Sequence, residues 1–133
     1  MGYRLSDAEQ QLFLGRVRQV LTGQQGLQST LTYLELADKV AIPAPQRIHR
    51  VTRLLEKTMK EDAEAGQPLQ AALVVSRLGD GLPAEGFFDR ARRLGVFKGR
   101  DAQAFHRSQL QALFARSVLG NCTASAKSKS DSL

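Results

Sequence analysis

Thr32-Tyr33-Leu34-Glu35-Leu36-Ala37-Asp38-Lys39-Val40, the turn Ile42-Pro43-Ala44-Pro45, and the run from Gln46 to Ala65 decide how this chain is read. Thr32 and Glu35 have the T-x-x-E spacing of a capping box, in which each side chain satisfies a first-turn amide that the helix leaves open. Leu34, Leu36, Ala37 and Val40 give the short helix an apolar face. Pro43 and Pro45 have no amide hydrogen and bias the residue before each away from helix. Because Pro45 suits a first helical turn, the next helix is predicted to start near Ala44 or Pro45. It runs to about Ala65, before Gly66 and Pro68. At 100° per residue, Ile48, Val51, Leu55 and Met59 fill an arc of about 80°, and Arg50, Arg53, Lys57 and Lys60 a similar arc almost opposite. Acidic Glu56, Glu61, Asp62 and Glu64 lie mainly in the C-terminal half, which leaves the first half the more favourable for a polyanion.

Working outward, Leu69 to Val75 has the length and β-branched content of a buried strand. A Gly-rich bend follows, Gly79-Asp80-Gly81-Leu82-Pro83, then a helix carrying Phe87, Phe88, Ala91 and Leu94 that Gly95 closes. Upstream, Ser6-Asp7-Ala8-Glu9 is a second capping box. Leu12, Phe13, Val17, Val20 and Leu21 recur at helical spacing after it, with Arg16 and Arg18 off the stripe, until Gly23 and Gly26 end the pattern. Asp101 caps a last helix in which Ala104, Phe105, Leu110, Leu113 and Phe114 face the body. The predicted fold is mainly α (α+β): a winged helix-turn-helix with extra N- and C-terminal helices and a short strand or hairpin. Residues 1–5 form an extension, 6–119 a single domain, and 120–133 a Ser-rich tail read as disordered.

The chain has 133 residues, enough for one domain with a sizeable core. Its 42% apolar and 24% charged residues are those of an ordinary globular protein. A formal net charge of +6 and a pI near 10.0 fit an anionic partner: DNA, RNA or an acidic protein surface. Cys122 has no partner for a disulfide, which predicts a reducing compartment. No apolar run reaches the roughly 18 residues of a membrane span, and the polar N-terminus lacks a signal peptide's apolar core. A cytoplasmic protein of bacterial or phage type, with no membrane partner, is expected.

Candidate contacts follow from the basic helix. Residues early in the second helix of a helix-turn-helix reach the major groove, so Gln46 and His49 are candidates for base edges. Arg50, Arg53 and Lys57 are candidates for phosphates, Arg47 is a further DNA contact beside them in the first two turns, and a solvated helix face is the plain alternative. Arg90, Arg92, Arg93, Lys98 and Arg100 form a second cluster around the Gly95 to Gly99 connection, and Arg77 stands at the base of the Gly-rich loop. His49 and His106 have no Cys or carboxylate at metal-ligand spacing, and the Gly-rich loop lacks a Walker lysine, so neither metal nor cofactor is predicted.

Thr32-Tyr33-Leu34-Glu35-Leu36-Ala37 followed by Pro43-Ala44-Pro45-Gln46-Arg47 resembles the helix-turn-helix of alkylguanine-DNA alkyltransferases and alkyltransferase-like proteins, over about 16 residues. The resemblance implies that Tyr33 crowds a phosphate and Arg47 fills the gap left by an extruded nucleotide. The family's Pro-Cys-His-Arg motif is absent from Ala71 to Arg77, and Cys122 is far away, so alkyl transfer is not expected. The sequence therefore predicts a non-catalytic duplex-DNA-binding protein, such as a transcription regulator. The alternative is a small protein-interaction module, an adaptor or phage-type inhibitor, using the same basic face. Oligomeric state is left open, a homodimer being one option.

Overall fold

The computed structural model describes residues 6–77 and 81–128, with side chains as far as Arg116. Helix α1 (Asp7–Leu27) leads through strand β1 (Leu31–Thr32) into α2 (Tyr33–Val40) and α3 (Arg47–Glu64). A 3-10 turn (Gln70–Leu73), strand β2 (Val74–Val75), α4 (Glu85–Arg93) and α5 (Ala102–Ser128) complete a mainly helical fold. The strands pair in parallel, Leu31 with Val74 and Thr32 with Val75. Parallel partners need a crossover connection, and α2 and α3 supply it.

Both capping boxes form. Glu9 N–H donates to Ser6 Oγ at 3.2 Å and Ser6 N–H to Glu9 Oε1 at 2.9 Å. The corresponding Thr32 and Glu35 distances are 3.1 and 2.8 Å. Three boundaries differ from the sequence expectation. Helix α1 passes through Gly23 and Gly26 and ends only at Gln28, whose φ is 54°. An exposed glycine costs a helix only about 1 kcal/mol, too little to end one whose other face buries Phe13, Val17 and Leu21. Helix α3 starts at Arg47, not at Ala44 or Pro45, because Gln46 takes the left-handed conformation at φ 57°. The apolar run Leu69 to Val75 is mostly 3-10 turn, with two residues in strand. Buried at every position but Gln70, it carries a nearly continuous apolar pattern that periodicity cannot tell from a longer strand.

Helix α5 extends to Ser128, past residue 119 where the sequence reading ends the domain, and Ala124, Ala126 and Lys127 are all good helix formers. Residues 1–5 and 129–133 of the predicted extension and tail, and Gly79 and Asp80 of the predicted wing, lie outside the described residues. On either side of that segment, Ser76 N–H donates to Leu82 O at 2.8 Å. Among the described residues no helix is long and apolar enough to cross a membrane.

Helix α3 runs along the core. It buries Val51, Leu54, Leu55, Thr58, Met59 and Asp62 against residues such as Val17, Leu21, Leu36, Val40 and Leu73. Ile48, assigned to this face by spacing, is 44% exposed, because the core begins one turn later. An aromatic layer joins α4 to α5: Phe87 and Phe88 lie 6.1 and 6.5 Å from Phe105, and Phe97, in the connection between the helices, stacks on Phe105 at 4.4 Å. Buried His106 closes this layer, its Nε2 lying 2.8 Å from Ala72 O.

A polar network enters the core where α1, α3 and the 3-10 turn meet. Arg18 lies 3.1 Å from Asp62 and 2.9 Å from Glu61, and also donates to Gln70 Oε1 at 2.7 Å. Gln70 N–H donates to Asp62 Oδ2 at 3.1 Å. Burial by itself would lower the Arg18 pKa, but its hydrogen bonds and charge contacts with Asp62 and Glu61 outweigh that and push it up. Asp62 thus supplies negative charge to Arg18 and an acceptor to a buried turn.

Asp62→Ala leaves a guanidinium short of charge and an amide short of an acceptor. It is expected to cost about 2–3 kcal/mol in urea unfolding, between the values of exposed and buried pairs. Glu61→Ala, at a half-exposed partner, should stay within about 0.5 kcal/mol. Burial holds the His106 pKa below its ordinary value, and the hydrogen bond to Ala72 only partly opposes this. The unfolded chain then binds the proton first, so stability should be full above pH 6.5 and fall as acidification proceeds toward the folded-state pKa. His106→Gln should flatten that fall in melts recorded from pH 7.5 to 5.0.

Candidate nucleic-acid interface

The α2–α3 turn concentrates carbonyl oxygens. Helix α2 ends at Ala41 in the left-handed conformation, φ 60°, and its last carbonyls carry the negative end of the helix dipole. Arg47 answers with three groups: Nε donates to Ile42 O at 2.8 Å, Nη2 to Ala37 O at 3.3 Å, and Nη1 pairs with Asp38 at 2.9 Å. Arg50 Nη1 donates to Pro43 O at 3.1 Å. From α1, Arg16 Nη1 donates to Val40 O at 3.1 Å. The turn is therefore stapled from both neighbouring helices. Sequence reading assigns Arg50 to phosphate and, through the family resemblance, Arg47 to the gap of an extruded nucleotide; their place just after a turn whose carbonyls lack helix partners was the available sign of this second task.

Past the first turn of α3 the cations face solvent. Arg53, Lys57 and Lys60 are exposed and form no hydrogen bond or ion pair among the described residues. They occupy the arc opposite the buried face. At the start of the helix, Gln46, Ile48 and His49 are exposed and line a shallow open hollow with Ala44 and Arg47.

Tyr33 lies elsewhere. Its hydroxyl accepts a hydrogen bond from Ala84 N–H at 3.0 Å, tying the start of α2 to the start of α4. Burial raises its pKa, with the Ala84 contact opposing, so the phenol stays protonated at neutral pH. The ring borders a narrow cleft with Thr52, Glu56, Met59, Gly86 and Phe87, of about 40 Å³. Ligand pockets hold about 300–1,000 Å³, so an extruded nucleotide does not fit here without rearrangement.

The second basic cluster is divided. Arg92 folds over the Phe97 ring, 4.0 Å from its centroid, and donates to Gly99 O at 2.9 Å. Arg90 is half-buried, with its Nε unpartnered among the described residues. Arg93, Lys98 and Arg100 are exposed around the C-terminal end of α4, where cations complement the helix dipole. Arg77 is exposed beside the loop that follows β2. No group of three or more His, Cys, Asp or Glu residues able to hold a metal occurs among the described residues.

The geometry separates cations that hold the fold from cations that face outward, and stability measurements resolve the two. Arg47→Ala strips donors from two carbonyls and should cost about 1–3 kcal/mol, read as a lower urea midpoint. Arg53→Ala should leave that midpoint within about 0.5 kcal/mol of the original. Comparison with protein-family models, curated proteins and solved structures finds no match for this chain.

Proposed function

We propose that the protein binds duplex DNA without catalysing a reaction on it, using α2, the stapled turn and α3 in the manner of a winged helix-turn-helix. The observation that carries this reading is the exposed, uncommitted row Arg53, Lys57 and Lys60 on a helix whose opposite face is anchored in the core. An 18-residue helix is about 27 Å long and fits a major groove about 12 Å wide. Anchoring matters because a cation held on a rigid helix loses little further freedom on meeting phosphate.

In this reading Arg53, Lys57 and Lys60 contact the phosphates. Arg47 and Arg50 set the angle at which α3 leaves the turn, and their half-exposed heads add positive potential beside it. Tyr33 supports the frame through Ala84. The loop after β2 takes the place of a wing with Arg77 at its base, and Arg93 belongs to a separate flanking patch with Arg92 behind it.

Three phosphate contacts imply that log K falls against log salt with a slope of about −2.7. Fluorescence anisotropy on a labelled 20-base-pair duplex should show that slope. Lys57→Ala should reduce its magnitude by about 1 and weaken binding evenly across sequences. Affinity insensitive to salt, or no binding at 20 mM salt, overturns the reading; retention of an acidic protein instead would assign the same face to protein recognition.

A further inference from the structure

Positive charge is denser at the join of α4 and α5 than on α3. Residues 90–100 hold five cations, Arg90, Arg92, Arg93, Lys98 and Arg100, and no acid, whereas α3 sets five cations against four acids. Arg93, Lys98 and Arg100 are exposed, and their side chains form no hydrogen bond or ion pair among the described residues. The backbone that carries them is braced. Phe97, 4% exposed, stacks on Phe105 of α5, and the amides of Val96 and Phe97 donate to Ala91 O at 3.1 and 3.2 Å. Arg92 closes the connection over the Phe97 ring and through Gly99 O. A methyl group at Gly95 or Gly99 would meet no neighbouring atom within 4 Å, so the backbone on either side of Lys98 is open to a bulky anion.

Carboxylates part this surface from the basic arc of α3. The start of α4 borders α3, where Gly86 and Phe87 share the narrow cleft with Glu56 and Met59. Arg93 stands at the other end of α4, a helix of nine residues and so about 13 Å long. Glu56 lies in the cleft, and Glu85 and Asp89 are exposed along α4. The way from the α3 arc along α4 to Arg93 therefore passes carboxylates, which repel a phosphate backbone. The two basic surfaces are distinct anion sites on this ground.

From this we propose that Arg93, Lys98 and Arg100 form a second duplex-binding surface, separate from α3, so that one copy of the protein holds two duplex segments. Charge complementarity names the occupant. Three cations with no carboxylate beside them call for an anion of several charges, and the guanidiniums of Arg93 and Arg100 match phosphate oxygens two at a time. A duplex presents one such charge per about 1.7 Å on a stiff rod. Cations on a braced connection meet it with little further ordering, whereas an acidic peptide must itself be ordered. The second surface stands without the reading of α3 given above; the joining of two segments rests on that reading.

The test uses the full chain and a 20-base-pair duplex. With Arg53, Lys57 and Lys60 all changed to Ala, the protein should still bind at low salt, log K falling against log salt with a slope of about −2.7 for three phosphates. Adding Arg93→Ala, Lys98→Ala and Arg100→Ala should abolish that binding and leave the urea midpoint where it was, since none of the three holds the fold. Wild-type protein should also carry a fluorescent duplex onto beads that bear a second duplex, and either triple change alone should end the capture. An α3 triple variant that no longer binds, or capture undiminished by the changes at Arg93, Lys98 and Arg100, overturns the second surface and leaves the reading of α3 standing. Preference of the α3 triple variant for polyglutamate over duplex assigns the surface to acidic protein and overturns it as well. An α3 triple variant equal to wild type in affinity, with binding lost on changing Arg93, Lys98 and Arg100, upholds the second surface and removes the reading of α3, and the joining of segments with it.

Discussion

Two arginines on one helix set the position of everything that faces the candidate partner. Arg16 and Arg18, two residues apart on α1, reach different ends of the α2–α3 pair: Arg16 holds Val40 O at the end of α2, and Arg18 holds Asp62 and Glu61 near the end of α3. The apolar stripe between them, Phe13, Val17 and Leu21, gives the burial that makes these polar contacts worthwhile. Hydrophobic burial is non-directional. Guanidinium contacts are directional, and they select one arrangement from the many that would bury the same carbons.

The same division organises the charge. A net +6 suggests a broadly adhesive surface, yet a good part of the positive charge is engaged inside the protein. Arg16, Arg47 and Arg50 satisfy carbonyls of the α2–α3 turn, Arg18 pairs with acids, and Arg92 covers Phe97. Arg53, Lys57 and Lys60 stay exposed on α3, and Arg93, Lys98 and Arg100 around the C-terminal end of α4. The proposed DNA contact on α3 is accordingly narrow, a single helical arc instead of a whole basic face.

Much of the fold was legible because it follows from local rules. The Ser6 and Thr32 capping boxes, the amphipathic α3 and the Phe-bearing α4 depend on residues three and four apart, whose chemistry the chain states directly. The parallel pairing of Leu31 with Val74 was not legible, since the partners stand 43 positions apart and each strand has two residues. Ile48 matched the buried period of α3 and still emerged exposed, because periodicity gives a direction from the helix axis and not whether a neighbour stands there.

For the site, the sequence by itself determined that a basic helix follows a Pro-punctuated turn, and that its cations oppose its apolar residues. Only the tertiary structure decided which of those cations are free. An arginine's role depends on what lies within about 3 Å of its guanidinium. For Arg47 and Arg50 that is a cluster of turn carbonyls, and for Arg53 it is solvent. Carbonyl oxygens belong to every residue and leave no mark in the alphabet of side chains, so their convergence at one turn appears only once the chain has folded around it.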